Sequence, residues 1–228
     1  MVSLNVDIVV SRYNEDLKWI MEYPFNKFTY TVYNKGVNEN FIKYNVKKII
    51  KLNNVGKCDH TYLYHIIQNY DNLSNIIVFF PGSLDMEYKK QKAKKLLQLI
   101  MNSNYTKAYF LGDYQHNLYN SFRTFKLDNW KTTNGQNASI NNETDLLKCR
   151  LRPYGKWYKY FFGRTVAHWV SMWGIFSLDK RDILQHQKYR YILLIQTINK
   201  HSNPEAGHYI ERSWAAIFHP MAYTTKTS

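Results

Sequence analysis

Five consecutive apolar residues, Ile76-Ile77-Val78-Phe79-Phe80, run without a break into Pro81-Gly82. A β-branched and aromatic run of this kind has the pattern of a strand covered on both faces, as in a parallel sheet, because a half-exposed strand would alternate with polar residues. Ligands of open α/β sheets bind outside the carboxyl ends of the strands, so residues 81–87 form one candidate site. Upstream, Leu63, Ile66, Ile67 and Tyr70 share a face at 3.6 residues per turn. They predict a helix capped by Asp59 or Thr61 and ended at Asn72. The loop before this helix is a second candidate site. Gly56 allows a positive φ there, and the first free N–H groups of a helix attract an anion such as a diphosphate.

The elements around this block predict a wound α/β sheet in a single domain. Residues 6–10 read as a short strand, followed by the polar cluster Ser11-Arg12-Tyr13-Asn14-Glu15-Asp16 and a helix beginning at Leu17, Trp19 and Ile20. Residues 28–33 and 46–52 read as further strands. Residues 87–103 read as a helix with Tyr88, Leu96, Leu97 and Ile100 inward, and with Lys89, Lys90, Lys92, Lys94 and Lys95 forming either a solvated face or a phosphate or nucleic-acid patch. Another buried strand is expected at 108–111. Between 128 and 145 the apolar content collapses into Asn, Thr, Gly and Ser, which predicts a long mobile surface loop of the kind that serves as a lid. The loop separates an N-terminal half, 1–115, from a C-terminal half, 150–220. In the latter, 152–163 alternates rings with Lys, 169–178 reads as a strand, Asp179 as a cap, 183–198 as one or two helices, and 208–218 as the last helix.

The net charge of +14 over 228 residues predicts attraction to polyanions, whether nucleotide diphosphates, nucleic acid or anionic lipid. A compositional bias toward Lys, Asn, Ile and Tyr accounts for the same excess equally well. The 20 Tyr and 6 Trp argue for an ordered globular protein, with rings either packed in the core or lining a groove for sugars or bases. Cys58 and Cys149 match no metal spacing and no disulfide framework, as expected in a reducing compartment. No apolar run of about 18 residues and no leader pattern is visible, so a cytoplasmic location is expected.

No Gly-rich phosphate loop, HExxH, CxxC pair or GxSxG occurs, which removes the usual warrants for kinases, zincins, zinc fingers and α/β-hydrolases. What remains is a set of acids at the expected element ends: Glu15, Asp16, Asp85, Glu87, Asp113 and Glu211. Carboxylates, a diphosphate-attracting surface and aromatic platforms together suit glycosyl transfer from a nucleotide sugar. A carboxylate takes the proton of an acceptor hydroxyl while metal or cationic side chains stabilise the departing diphosphate. Asp85-Met86-Glu87, after the central strand, has the form of a carboxylate pair for Mg²⁺ or Mn²⁺, or of a helix N-terminus rich in acids.

The stretches VVSRYNEDLKWI, NVGKCDHTYLYHIIQNYDNL with IIVFFPGS, RPYGKWY, WGIFSLDKRDIL and HYIERSWAAIF, in this order, resemble a little-characterised glycosyltransferase-like family. That family occurs in large DNA viruses of algae and amoebae, and in fungi, bacteria and algae, and it includes a chlorovirus xylosyltransferase. The resemblance marks Arg12, Asn14, Glu15, His60, Thr61, His65, Gly82, Tyr154, Trp157, Glu211, Arg212 and Trp214 as motif positions. It implies a GT-A type glycosyltransferase with a Rossmann-like N-terminal half. Arg12, Asn14, Glu15, Asn54, Lys57, His60, Thr61, His65 and Gly82 would bind the donor. Tyr154, Trp157, Tyr158, Arg212 and Trp214 would bind a glycan or other hydroxyl acceptor, with Glu211 and Asp85 catalytic and Asp85 and Glu87 on a metal. Lys57, Cys58 and Pro81 stand where such proteins typically carry Arg, Glu and Gln, which implies altered donor choice or lost activity. A viral member would work in the host cytoplasm, a virus factory or the virion. Two rival readings are a nucleic-acid-binding protein that stacks single strands on 152–163, and a structural family member without catalysis.

Overall fold

Strand β4, Ile76–Pro81, is buried along its whole length and is an interior strand of a five-stranded sheet. The computed structural model describes residues 6–128 and 146–228. The expected mobile loop, 128–145, falls outside them apart from Asp128. On one side β4 pairs in parallel with β1, Val6–Arg12, through Val9↔Phe79, Val10↔Phe80 and Ser11↔Pro81. Beyond β1 come β2, Tyr30–Asn34, and the edge strand β3, Val46–Lys51, both parallel. On the other side β8, Phe176–Asp179, pairs antiparallel.

The sheet order is therefore β3-β2-β1-β4-β8 in a mixed α/β domain, compatible with a Rossmann-like fold. The chain winds outward from β1 to β3 and then returns to the far side of β1. That reversal makes the carboxyl ends of β1 and β4 a topological switch point, the place where doubly wound sheets take ligands.

Strand side chains alternate between two apolar layers. Val9, Tyr33, Ile77 and Phe79 join one core with helix α1, Lys57–Gln68, while Val10, Val32, Val78 and Phe80 join the other with Trp19 and Phe25. Burying each such side chain contributes roughly 1.5–3 kcal/mol. On β3, Lys47, Lys48 and Lys51 are exposed, and charge of this kind keeps an open sheet edge from pairing with another chain. Among the described residues, no helix is long and apolar enough to cross a membrane.

Several local expectations are corrected. The segment after β1 makes two short 3₁₀ turns, Lys18–Met21 and Phe25–Lys27, instead of a helix, because Leu17 is left-handed at φ 57° and Pro24 cannot continue a helix. Helix α1 starts after a left-handed Gly56, with no side-chain cap. Asp59 and Thr61 lie buried within it, and Thr61 Oγ1 meets Ser11 Oγ at 2.8 Å. Helix α2, Glu87–Asn102, turns Ala93, Leu96, Leu97 and Ile100 inward and leaves Tyr88 exposed. Its lysines do not form one solvated face: Lys90 and Lys94 pair with Glu22 at 2.7 and 3.4 Å, and Lys89 and Lys92 turn inward.

Strand β5, Ala108–Leu111, leaves the main sheet and pairs with β9, Thr224–Thr227. A two-residue strand β6, Asp113–Tyr114, and a short helix α3, Leu118–Phe122, follow β5.

Helix α4, Tyr154–Phe162, buries Tyr154, Trp157, Tyr158 and Phe162 at helical spacing, so the ring-and-lysine alternation is an amphipathic helix and no stacking groove. The strand expected at 169–178 breaks into β7, Trp169–Val170, a turn at Met172–Gly174, and β8, because Trp173 and Gly174 both have positive φ. Asp179 caps helix α5, Lys180–Leu184, by accepting from Arg181 N–H, and helix α6, Lys188–Gln196, follows. The last helix, α7, covers Glu205–Ile217 and begins one turn earlier than expected. The carboxylate of the buried Glu205 takes N–H groups from Leu127 and Cys149.

Candidate functional site at the carboxyl ends of β1 and β4

The end of β1 is held by Arg12, which is fully buried. Its guanidinium donates to the carbonyl of Glu15 at 2.7 Å, to Asn34 Oδ1 at 2.6 Å and to the carbonyl of Asn38, and lies 4.1 Å over the Phe41 ring. A group committed this way fixes three loops to one another and is out of reach of a nucleotide, which corrects its expected donor contact. Asn14 also turns inward, its Oδ1 buried beside Gly36.

Glu15 stays at the switch point. Its Oε2 accepts from Tyr13 N–H at 2.7 Å and faces Gly82, whose N–H donates to the Ser11 carbonyl. A Cβ at position 82 would sit 2.7 Å from that oxygen, so glycine lets the two strand ends close.

On the other wall, the turn into α1 has two successive left-handed residues, Gly56 and Lys57, at φ 60° and 52°. The expected diphosphate cradle across residues 54–61 is corrected here. Gly56 N–H donates to His201, and the carbonyls of Val55 and Lys57 turn inward to accept from Lys35 Nζ. Lys35 is nearly fully buried, and burial lowers its ammonium to about 7 against the pull of Cys58 and Asp59. Asp59 is buried beside it. Desolvation, then the charge of Glu211, push its carboxyl well up, while Lys35 and the Trp214 indole oppose this. Its Oδ1 has no hydrogen-bond partner among the described residues.

Two histidines part company with the expectation. His65 lies deep under the sheet, its Nδ1 3.0 Å from Tyr33 Oη and its Nε2 3.8 Å from Asp7, and burial lowers it to about 4. It is a structural group. His60 stacks on Tyr64, and burial with nearby Lys35 lowers it to about 4 as well.

The remaining walls are α2 and α7. Lys89 Nζ donates to Ser83 Oγ at 2.9 Å. Burial lowers its pKa, and Cys58, Asp85, Glu15 and Glu211 raise it, so one ammonium reads the charge of four segments. From α7, Glu211 is half-buried. Its Oε1 accepts from Trp173 N–H at 2.9 Å and its Oε2 lies 3.7 Å from Arg212 Nη1. Arg212 lies 3.8 Å over Phe125 and donates to the His208 carbonyl at 2.9 Å.

Trp214 is buried and stacked on Phe218, and Tyr154, Trp157 and Tyr158 are core residues, which removes these four from contact with an acceptor. Asp85 and Glu87 are exposed at the start of α2, Glu87 accepting from Gln91. Among the described residues, no group of three or more His, Cys, Asp or Glu is placed to hold a metal ion. Two carboxylates suffice for Mg²⁺ only where substrate phosphates and water complete its shell.

This end of the sheet thus brings together Glu15, Gly82, Asp85, Glu211 and Arg212, which sequence reasoning named for the site, Asp59 and Lys89, which it read as a helix cap and part of a lysine cluster, and Lys35 and Trp173, which it did not use. Their signal was weak but present: Lys35 directly follows a strand, and Lys89 and Lys92 are one helical turn apart.

No curated protein matches the chain. Residues 8–227 match the family described as "Protein of unknown function (DUF3431)", and the chain belongs to that family.

Proposed function

We propose that the protein is a GT-A type glycosyltransferase that binds a nucleotide sugar at the switch point between the ends of β1 and β4 and moves the sugar to a hydroxyl acceptor. The observation that carries this reading is the meeting of Lys89 and Arg212 with Glu211 and Glu15 at the point where the strand order reverses, over a turn that the buried Lys35 braces from beneath. Partly buried cations there would stabilise charge that develops on a leaving diphosphate better than cations in water.

Glu211 is the base. The acceptor oxygen forms a bond to the anomeric carbon as the bond from that carbon to the diphosphate oxygen breaks. The electron pair leaves on the diphosphate and the acceptor proton passes to the Glu211 carboxylate. Trp173 N–H and Arg212 hold that carboxylate in place. Asp85 and Glu87 are the residues that would hold Mg²⁺ or Mn²⁺, which would add charge stabilisation at the diphosphate.

A thermal-shift panel of nucleoside diphosphates and nucleotide sugars, with and without Mn²⁺, tests this. A ligand at 100 times its dissociation constant adds roughly 2.7 kcal/mol to stability. Stabilisation by none of them contradicts the reading.

A further inference from the structure

Trp173 is the one tryptophan among Trp19, Trp157, Trp173 and Trp214 that is held outside the core, at 43% exposure. Its backbone is left-handed, φ 70° and ψ 11°, a conformation a bulky residue keeps only when its surroundings impose it. The restraints are visible. Glu211 accepts its N–H, Lys92 Nζ donates to the carbonyl of Met172 and to Ser171 Oγ at 3.0 Å each, and Tyr62 Oη donates to the Gly174 carbonyl at 2.9 Å. The result is an indole presented to solvent and braced edge-on by the exposed Tyr88 ring at 4.8 Å.

In front of it lies a cavity of about 460 Å³, lined by Gln91, Lys92, Gly112, Asp113, Met172 and Trp173. That volume falls within the rough 300–1,000 Å³ of small-molecule sites. A flat ring beside a carboxylate, an amide and an ammonium matches a sugar ring, which offers a face of C–H groups and a rim of hydroxyls that donate and accept. Asp113 opposes the anion that Lys92 and Lys95 of the same wall would attract, and this polar rim does not suit a lipid tail.

We propose that this cavity is a saccharide subsite, in which a sugar ring stacks on Trp173 and hydrogen-bonds to Asp113. Its role as the acceptor subsite rests on the transferase reading above. One hydrogen bond, from Trp173 N–H to Glu211, joins the platform to the base.

The test is calorimetric titration of the full chain with a panel of neutral hexose and pentose trisaccharides and, separately, with nucleoside diphosphates. The same titrations are run on Trp173→Asn, which keeps a residue tolerant of left-handed backbone, and on Asp113→Asn at an exposed position. At least one trisaccharide should bind saturably, with affinity falling about tenfold or more in Trp173→Asn, equivalent to about 1.4 kcal/mol, and severalfold in Asp113→Asn. Binding of no trisaccharide, or equal binding by parent and both variants, overturns the subsite, as does loss of nucleotide instead of saccharide affinity. If Trp173→Asn fails to fold, Asp113→Asn decides by the same criterion. The diphosphate arm reads the transferase proposal independently: saccharide binding without any nucleotide binding keeps the subsite and removes glycosyl transfer.

Discussion

The backbone N–H of Trp173 donates to Oε1 of Glu211 at 2.9 Å, tying a left-handed turn before β8 to the middle of α7. The bond orients the carboxylate without neutralising it, which is what a base requires. Replacement of Glu211 by Gln preserves the accepting oxygen and removes the basic one. Turnover should fall by about 10²–10⁴ while nucleotide affinity persists. Unfolding midpoints measured on the same preparation should agree within a few degrees, and a parental transfer rate in the variant would contradict the assignment.

Arg12 should behave as a structural residue. Arg12→Ala strands the buried oxygens of Asn34 and Glu15, each loss on the order of 1–3 kcal/mol, so chemical denaturation should show a loss of at least about 2 kcal/mol. Lys at the same position should rescue little, because an ammonium lacks the fork that reaches several carbonyls at once. A variant of parental stability with weakened nucleotide binding would return Arg12 to the ligand.

Gly82→Ala places a methyl 2.7 Å from Glu15 Oε2 and 3.2 Å from Arg12 Cα. Either Glu15 is displaced or the strand ends part. A cost of about 1–3 kcal/mol, the usual scale of overpacking, should appear together with lost nucleotide binding in calorimetry. Unchanged binding would show that the β1–β4 switch point is not where the nucleotide lies.

The pH dependence of stability follows from buried neutral histidines. Burial holds His60 and His65 at about 4 and His208 at about 3, whereas in the unfolded chain each titrates near 6.5. Between those values the unfolded state binds more protons, so stability rises with pH across roughly 4 to 6.5 and is lost as the pH falls through that window. Urea midpoints from pH 4 to 7 should climb steadily, and His65→Phe should flatten part of the slope. A midpoint independent of pH over this range would contradict the burial of these rings.

The parallel core was legible in residues 76–80 because a strand covered on both faces leaves a continuous apolar run, and Asp179 was legible because a cap acts over two residues. The helix expected after β1 was not, since it is tertiary packing of Trp19 against Phe25, Tyr30 and Phe80 that shapes two 3₁₀ turns there. At the site, Glu211 and Gly82 stood out as a charge on an apolar helix and a glycine at a strand end. Lys35 and Asp59 did not. Whether a charge is buried depends on groups far along the chain, here Asp59 for Lys35 and Lys35 and Glu211 for Asp59, and no local pattern carries that information. The rings of 152–163 misled for the opposite reason: core and stacking aromatics look alike until helical spacing is tied to a neighbour such as Tyr209.

In the proposed function a nucleoside diphosphate sits between the ends of β1 and β4 against the partly buried Lys89 and Arg212. Calorimetric titration of Lys89→Met with the nucleoside diphosphate that binds the parent chain tests it most directly, because Met keeps the unbranched apolar stem and removes the ammonium with its charge and its bond to Ser83. The account requires affinity to fall tenfold or more, about 1.4 kcal/mol, with the unfolding midpoint close to that of the parent. Equal affinity in the two proteins would contradict it.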